Sequence, residues 1–331
     1  MIVRLLCAAA LVLSMLAPLA ARAEVNEITI SKEYGLGYLP YMIMEHEKLV
    51  EKHAKALGLG DLKINWQTFG GSSLTETALL AGQVQFVSSG PGWMLTMWDK
   101  TKGGVKSLGS LDSMPIYLVT RNAAIKSIGD FSDKDKIAVP AVKSSSQAVA
   151  LQMAAAKVWG QQSAYKLDPL TVSLSHPDAM AALLSGISEI DTHFASPPFQ
   201  DLELRDTRMH RVMSSYDVMG GSSTFILAST TTKFHDENPK TYRAVADALV
   251  DADTFINKNR RQAAEIYIEM SKDKRLNVDD VEKILANPDY KYTTVPEKMA
   301  RYADFLTTIG SIKTKPASWK DLFFDNVTRG S

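Results

Sequence analysis

The chain carries a single cysteine in 331 residues, Cys7, and it sits inside an N-terminal apolar run. The remainder therefore offers no disulfide, no thiolate metal site and no cysteine nucleophile. Charge of one sign is also missing: 37 Lys and Arg face 37 Asp and Glu, leaving no basic surplus to grip nucleic acid. Past the N-terminus no apolar run reaches the length of a membrane span. Neither G-x-S-x-G nor H-E-x-x-H occurs, so the common signatures of secreted serine hydrolases and zinc peptidases are absent. No repeat at solenoid periods and no low-complexity tract is visible.

The first residues read as a targeting segment. Arg4 supplies a positive start, residues 5–19 are apolar, and Ala21-Arg22-Ala23 is an A-x-A cleavage site, which predicts a signal peptide over 1–23 with cleavage near Ala23-Glu24. The run is short for a transmembrane helix and Pro18 interrupts it; an uncleaved anchor is the alternative. Cys7 lies too near the start, in the wrong flanks, for lipoprotein processing. Cleavage removes Arg4 and Arg22 and no acid, so the mature chain has a formal charge of −2.

Five short Gly, Ser or His loops each run into a helix-like stretch: Tyr34-Gly35-Leu36-Gly37-Tyr38, Gly70-Gly71-Ser72-Ser73, Ser88-Ser89-Gly90-Pro91, Ser144-Ser145-Ser146 and Ser175-His176-Pro177-Asp178. Helix N-termini present unpaired backbone N–H groups and a partial positive charge. Small hydroxyl residues there add donors and let a ligand approach. One such junction is ordinary capping; five together suggest the rim of a small-molecule site, favouring an anion.

Strand-like and helix-like segments alternate. Strands are expected over 25–31, 62–69, 84–88, 105–111 and 116–121, with one helix spanning 39–57 and others over 72–80 and 92–100. The pattern restarts with strands over 137–140, 170–174 and 190–194 and helices over 146–159 and 178–184. A strand over 224–229 follows, and from Asn238-Pro239, a cap and proline at a helix start, the chain is nearly all helical. This order predicts an open α/β architecture in two units. The chain crosses between them at 115–121 and 224–229. Ligands of such sheets bind beyond the carboxyl ends of the strands, where the five loops fall.

At this point the residues resemble a known family, the periplasmic substrate-binding proteins of bacterial ABC importers in the nitrate, sulfonate, taurine and thiamine-precursor branch. The resemblance covers essentially the whole mature chain. It rests on Gly37-Tyr38-Leu39-Pro40, Phe69-Gly70-Gly71-Ser72 and Ala81-Gly82-Gln83-Val84-Gln85-Phe86. It continues through Val139-Pro140 to Ser146, His176-Pro177-Asp178-Ala179, His193 to Phe199, and Gly220-Gly221-Ser222-Ser223-Thr224. It implies a two-lobed, type II-like periplasmic-binding-protein fold with a hinge and a helical C-terminal region. Residues 24–118 and 219–331 would form lobe 1 and residues 119–218 lobe 2. It also implies a monomeric, non-enzymatic receptor in the periplasm that hands a small organic anion, a sulfonate or carboxylate, aromatic ones included, to a membrane permease with its ATPase. No cofactor, metal or nucleic acid is expected.

Residue by residue, the resemblance places Leu36, Gly37 and Tyr38 in a first cleft loop, Gly71, Ser72 and Ser73 in a second, and Ser89 and Gly90 in a third. Ser144, Ser145 and Ser146 match the second lobe's helix-start loop, and His176, His193 and Ser196 match positions near the cleft. Each has a plainer reading. The serines could be N-caps, His176 could shape the turn before Pro177, and His193 could be a satisfied buried histidine. Tyr34, Tyr38, Trp93 and Phe194 could be core or cleft aromatics, and Arg121 a surface charge or an anion clamp. The Met42/Met44 and Met94/Met97 pairs read as core filling. Two other functions stay open: a sensor of the same fold, and a thiamine-pyrimidine-related binding protein or enzyme, although the cysteine-rich iron motif of the latter is missing.

Overall fold

The computed structural model describes residues 23–68 and 72–331, with the side chains of 72–74 also left aside. The expected signal peptide, apart from Ala23, lies outside the described residues. No helix among the described residues is long and apolar enough to cross a membrane.

The ten strands of the described residues build two units of matching plan, the first from a two-stranded and a three-stranded sheet and the second from one five-stranded sheet. In the first, β1 (Glu27–Ser31) pairs in parallel with β2 (Lys63–Gln67). Ser31 N donates to Phe86 O at 2.9 Å, and this ties β1 to the segment leading into β3 (Val87–Ser89). β10 (Thr224–Thr231) then runs antiparallel between β3 and β4 (Val105–Ser113). The sheet of the second unit has the order β7-β6-β8-β5-β9. Here β6 (Ile137–Val139) pairs in parallel with β7 (Thr171–Ser173) and β8 (Thr192–Ala195). β5 (Tyr117–Thr120) lies antiparallel between β8 and β9 (His210–Ser214).

The correspondence explains the connectivity. In each unit two parallel strands and a third are followed by an antiparallel strand supplied by the chain as it crosses from the other unit. β5 crosses into the second unit and β10 returns to the first. Both are almost wholly buried, as strands covered on both faces must be, and their runs of Val, Leu, Ile and Phe reflect it.

Three sequence expectations shift. The helix anticipated over 39–57 is two helices, Leu39–His46 and Leu49–Ala56, because Lys48 adopts a left-handed conformation (φ 52°) between them. β9 was not anticipated. Its alternation is weak, and its place is set by pairing with β5 rather than by local propensity. Asn238 makes no side-chain cap on the helix Pro239–Lys258. Its amide instead accepts from Val25 N at 3.0 Å, while Glu24 takes the helix start by accepting from the backbone N–H groups of Lys240 and Thr241. The carboxylate suits the positive end of that helix. The helices Arg260–Ser271, Val278–Leu285 and Met299–Thr308 complete the C-terminal region, and Met42, Met44, Met94 and Met97 are buried in the main core.

Candidate functional site: a cleft walled by helix starts

A cleft of about 420 Å³ opens between the two sheet units. Four of the five loops supply its walls: Tyr34 and Tyr38, Ser88 to Gly90, Ser144 to Ser146, and Ser175, His176 and Asp178. The fifth falls on Gly71, outside the described residues, and on Ser72 and Ser73, whose side chains are also outside them; Thr75, one turn further on, lines the cleft. The helices Pro91–Lys100, Ser146–Trp159 and His176–Ser185 thus all begin at the cleft. Their first N–H groups and dipoles converge there.

The serines are not equivalent. Ser145 Oγ accepts from Ala148 N and donates to Ala141 O at 2.7 Å, so its hydroxyl is spent on the loop and the cap. Ser175 likewise caps its helix by accepting from Asp178 N. Ser146 Oγ donates to Phe225 O at 3.1 Å, across to the other unit, and Ser88 Oγ donates to Ser31 O. Ser89 Oγ is buried and has no partner among the described residues. A buried hydroxyl left unpaired costs free energy, and a ligand acceptor in the cleft would satisfy it.

Other expected site residues lie behind the wall. Leu36 is fully buried core. Gly37 is backed by Phe225 and Asp112, where a β-carbon would come within 2.9 Å of the Phe225 ring. His193 is fully buried, and Ser196 is buried near Gly35; neither lines the cleft. Phe194 is core, whereas Tyr34, Tyr38 and Trp93 line the cleft. Arg121 is neither a surface charge nor an anion clamp. Its guanidinium donates to the carbonyls of Gly186, Ser188 and Ile190 and so fastens the loop before β8.

Glu33, Gln147 and Phe225 line the cleft without having been singled out in the sequence. Glu33 precedes the first loop with no motif around it, and Phe225 reaches the cleft only because β10 returns there. Glu33 and Asp178 are the charged side chains of the described lining; it contains no Lys or Arg. Burial pushes the Glu33 carboxyl from 4.5 up to about 7, and it has no hydrogen-bond or ion-pair partner among the described residues. Behind Gly37, Asp112 is buried with no side-chain partner for its carboxyl among the described residues, the Ile226 backbone N–H being its one weak neighbour, and Asp253 is buried with its carboxyl oxygens unpaired among them. Burial raises both well above the usual carboxylate range, and for Asp253 the neighbouring Asp112 adds to the effect.

No group of three or more His, Cys, Asp or Glu that could hold a metal ion occurs among the described residues.

No family model and no curated protein matches the sequence. Solved structures do match in fold. The chain has the periplasmic-binding-protein fold. It is similar to the alkanesulfonate-binding protein SsuA from Xanthomonas axonopodis pv. citri bound to MOPS, at 16% identity over 93% of this chain and 99% of that one, with a TM-score of 0.70. The periplasmic aliphatic sulphonate binding protein SsuA from Escherichia coli matches at 18% identity, over 92% and 94% of the two chains, with a TM-score of 0.64. The periplasmic nitrate-binding protein NrtA from Synechocystis PCC 6803 matches at 13% identity, over 90% and 84%, also at 0.64.

Proposed function

We propose that the protein is the periplasmic solute-binding component of an ABC importer and captures a small, singly charged organic acid between its two units. Residues 24–118 and 219–331 act as one lobe and residues 119–218 as the other, closing over the solute and presenting it to a membrane permease. The observation that carries this reading is the convergence of helix N-termini from both sheets on one cleft, together with the unpaired hydroxyl of Ser89 in its wall. The fold of the sulfonate- and nitrate-binding neighbours supports it.

The lining narrows the ligand. Without a Lys or Arg, an anionic head would be held by backbone N–H groups, helix dipoles and neutral donors. Each dipole contributes about 0.3–1 kcal/mol, which suits one charge better than two. Tyr34, Tyr38, Trp93 and Phe225 offer surface for an organic body, and about 420 Å³ exceeds what nitrate needs. The unpaired Glu33 carboxyl favours a solute with an amine at its other end, such as an aminosulfonate.

Thermal unfolding of the mature chain with ethanesulfonate, taurine, MOPS, benzoate and nitrate tests the proposal. A tight ligand at a thousand times its dissociation constant stabilises by about 4 kcal/mol through mass action. Stabilisation by an organic acid recovered unchanged supports the reading. No stabilisation across the panel, or conversion of the compound, contradicts it.

A further inference from the structure

Behind the cleft wall three buried side chains form one hydrogen-bonded chain. Glu203, the last residue of the short helix Phe199–Glu203, meets His193 Nδ1 through Oε1 at 2.5 Å. His193 Nε2 lies 2.8 Å from His176 Nδ1. His176 Nε2 lies 3.3 Å from Gln147 Nε2, an amide that can turn over to present its oxygen instead, and both residues line the cleft. Glu203 and His193 are fully buried, His176 is 7% exposed, and Glu203 Oε2 has no partner among the described residues. The His176 ring is stacked on Phe199, 5.3 Å between centroids, which fixes its plane.

We propose that Glu203 and His193 are positioning residues that set, through one shared proton, whether His176 Nε2 offers the cleft a hydrogen-bond donor or an acceptor. The proposal rests on the reading of the cleft as a ligand site, but its first test does not need a ligand.

The logic is proton counting. A neutral imidazole has one donor and one acceptor nitrogen. Suppose the contact between Glu203 and His193 holds a proton beyond the one His193 carries on its other nitrogen. Whichever atom holds it, His193 Nε2–H donates to His176 Nδ1. The His176 proton must then sit on Nε2, as a donor at the cleft, and the Gln147 amide turns its oxygen to it. If that proton is lost, Glu203 is a carboxylate accepting from His193 Nδ1–H, and His193 Nε2 accepts from His176 Nδ1–H. His176 Nε2 becomes an acceptor. One proton added or removed at the buried end reverses the polarity at the wall.

Burial favours the loaded chain. A lone carboxylate with one unpaired oxygen and no cation beside it is costly in an apolar interior. Burial accordingly raises Glu203 and lowers both histidines, His193 to about 3, so neither ring carries a charge of its own; His193 adds to the lowering of His176. The other ionisable groups nearby are engaged elsewhere or stand apart. On the His176 helix, Asp178 is bound by Ser175, and Arg275 reaches Met180. Beside Glu203, Asp201 accepts from Tyr290, and Arg205 pairs with Asp280. Glu33 lines the same cleft. The loaded chain thus gives an anionic ligand a neutral donor, without a fixed positive charge in the wall.

Nitrogen NMR of ¹⁵N-histidine-labelled protein tests this without ligand, because two-bond proton–nitrogen correlations distinguish the tautomers. Each ring is assigned by its own substitution. At pH 7 His176 is expected as the neutral Nε2–H tautomer. Raising the pH should convert His176 and His193 with a single common midpoint, and Glu203→Gln, which has no proton to lose, should abolish that transition. An imidazolium or Nδ1–H tautomer for His176 at pH 7 overturns the proposal. So do separate midpoints for the two rings in the wild type, a measurement that decides even if the variant does not fold. With ethanesulfonate as probe, wild-type affinity should fall about tenfold per pH unit above the midpoint, and the variant should stay flat. If ethanesulfonate does not bind, the solute reading loses support while the spectra still decide the proton chain.

Discussion

Gly90 and Ser146, at the starts of helices in opposite sheet units, approach so closely that a β-carbon on Gly90 would lie 2.0 Å from Ser146 Oγ. Two residues on, a β-carbon on Gly92 would lie 2.6 Å from Val149 Cγ2. The two units therefore meet through glycine at the edge of the cleft, and Ser146 spans the same junction by donating to Phe225 O.

Gly90→Ala should wedge this junction. Gly90 has ordinary extended backbone angles (φ −74°, ψ 161°), so the cost is steric and not conformational. Overpacking of this kind costs about 1–3 kcal/mol. The expected outcome is a lower melting temperature with circular dichroism unchanged, and a weaker ligand affinity measured by calorimetry.

Ser89→Ala and Ser145→Ala should separate. Ser89 Oγ has no partner among the described residues, so its removal should leave the unliganded protein as stable or slightly more so. Affinity for an anionic ligand should drop about tenfold, one hydrogen bond to a charged group being worth about 1.5 kcal/mol. Ser145 is a cap, and its removal should cost about 1 kcal/mol of stability with affinity little changed. Urea unfolding and calorimetric titration of both variants check the pair.

Asp112→Asn should stabilise the protein at neutral pH. Burial raises the Asp112 carboxyl in the folded state, so the native form prefers the acid. Its contribution is fully present below the unfolded value of 3.8 and is lost as pH rises through the folded value. An amide keeps the shape without the ionisation. The gain in melting temperature should be larger at pH 8 than at pH 4.

Glu33 has the same sign in a narrower window. Its stability contribution is present below pH 4.5 and is lost as pH rises through about 7. Glu33→Gln should therefore raise the melting temperature at pH 8 relative to pH 5. If the solute carries an amine, the same change should weaken taurine and spare ethanesulfonate in a competition titration.

The fold was readable because strands and helices alternate with distinct periods and the crossings at 115–121 and 224–229 divide them. Missing were features set by distant pairing: β9, held by β5, and the break at Lys48. At the site, helix starts such as Ser144 to Ser146 and His176 carried a local signal, and they do line the cleft. Depth carried none. Nothing local distinguishes His193, one strand behind the wall, from His176 on it, or Ser145, spent on its own helix, from Ser89. Glu33 and Phe225 reach the cleft through loop path and strand return, which no short motif records.

The most direct test of capture between two units is a calorimetric titration of residues 24–331 with the most stabilising organic acid, repeated on Ser89→Ala and His176→Ala. Those residues belong to different units. One site per chain, weakened about tenfold or more by each substitution while both variants stay folded, is the predicted result. Unchanged affinity in both variants, or no binding by the wild type, would contradict the account.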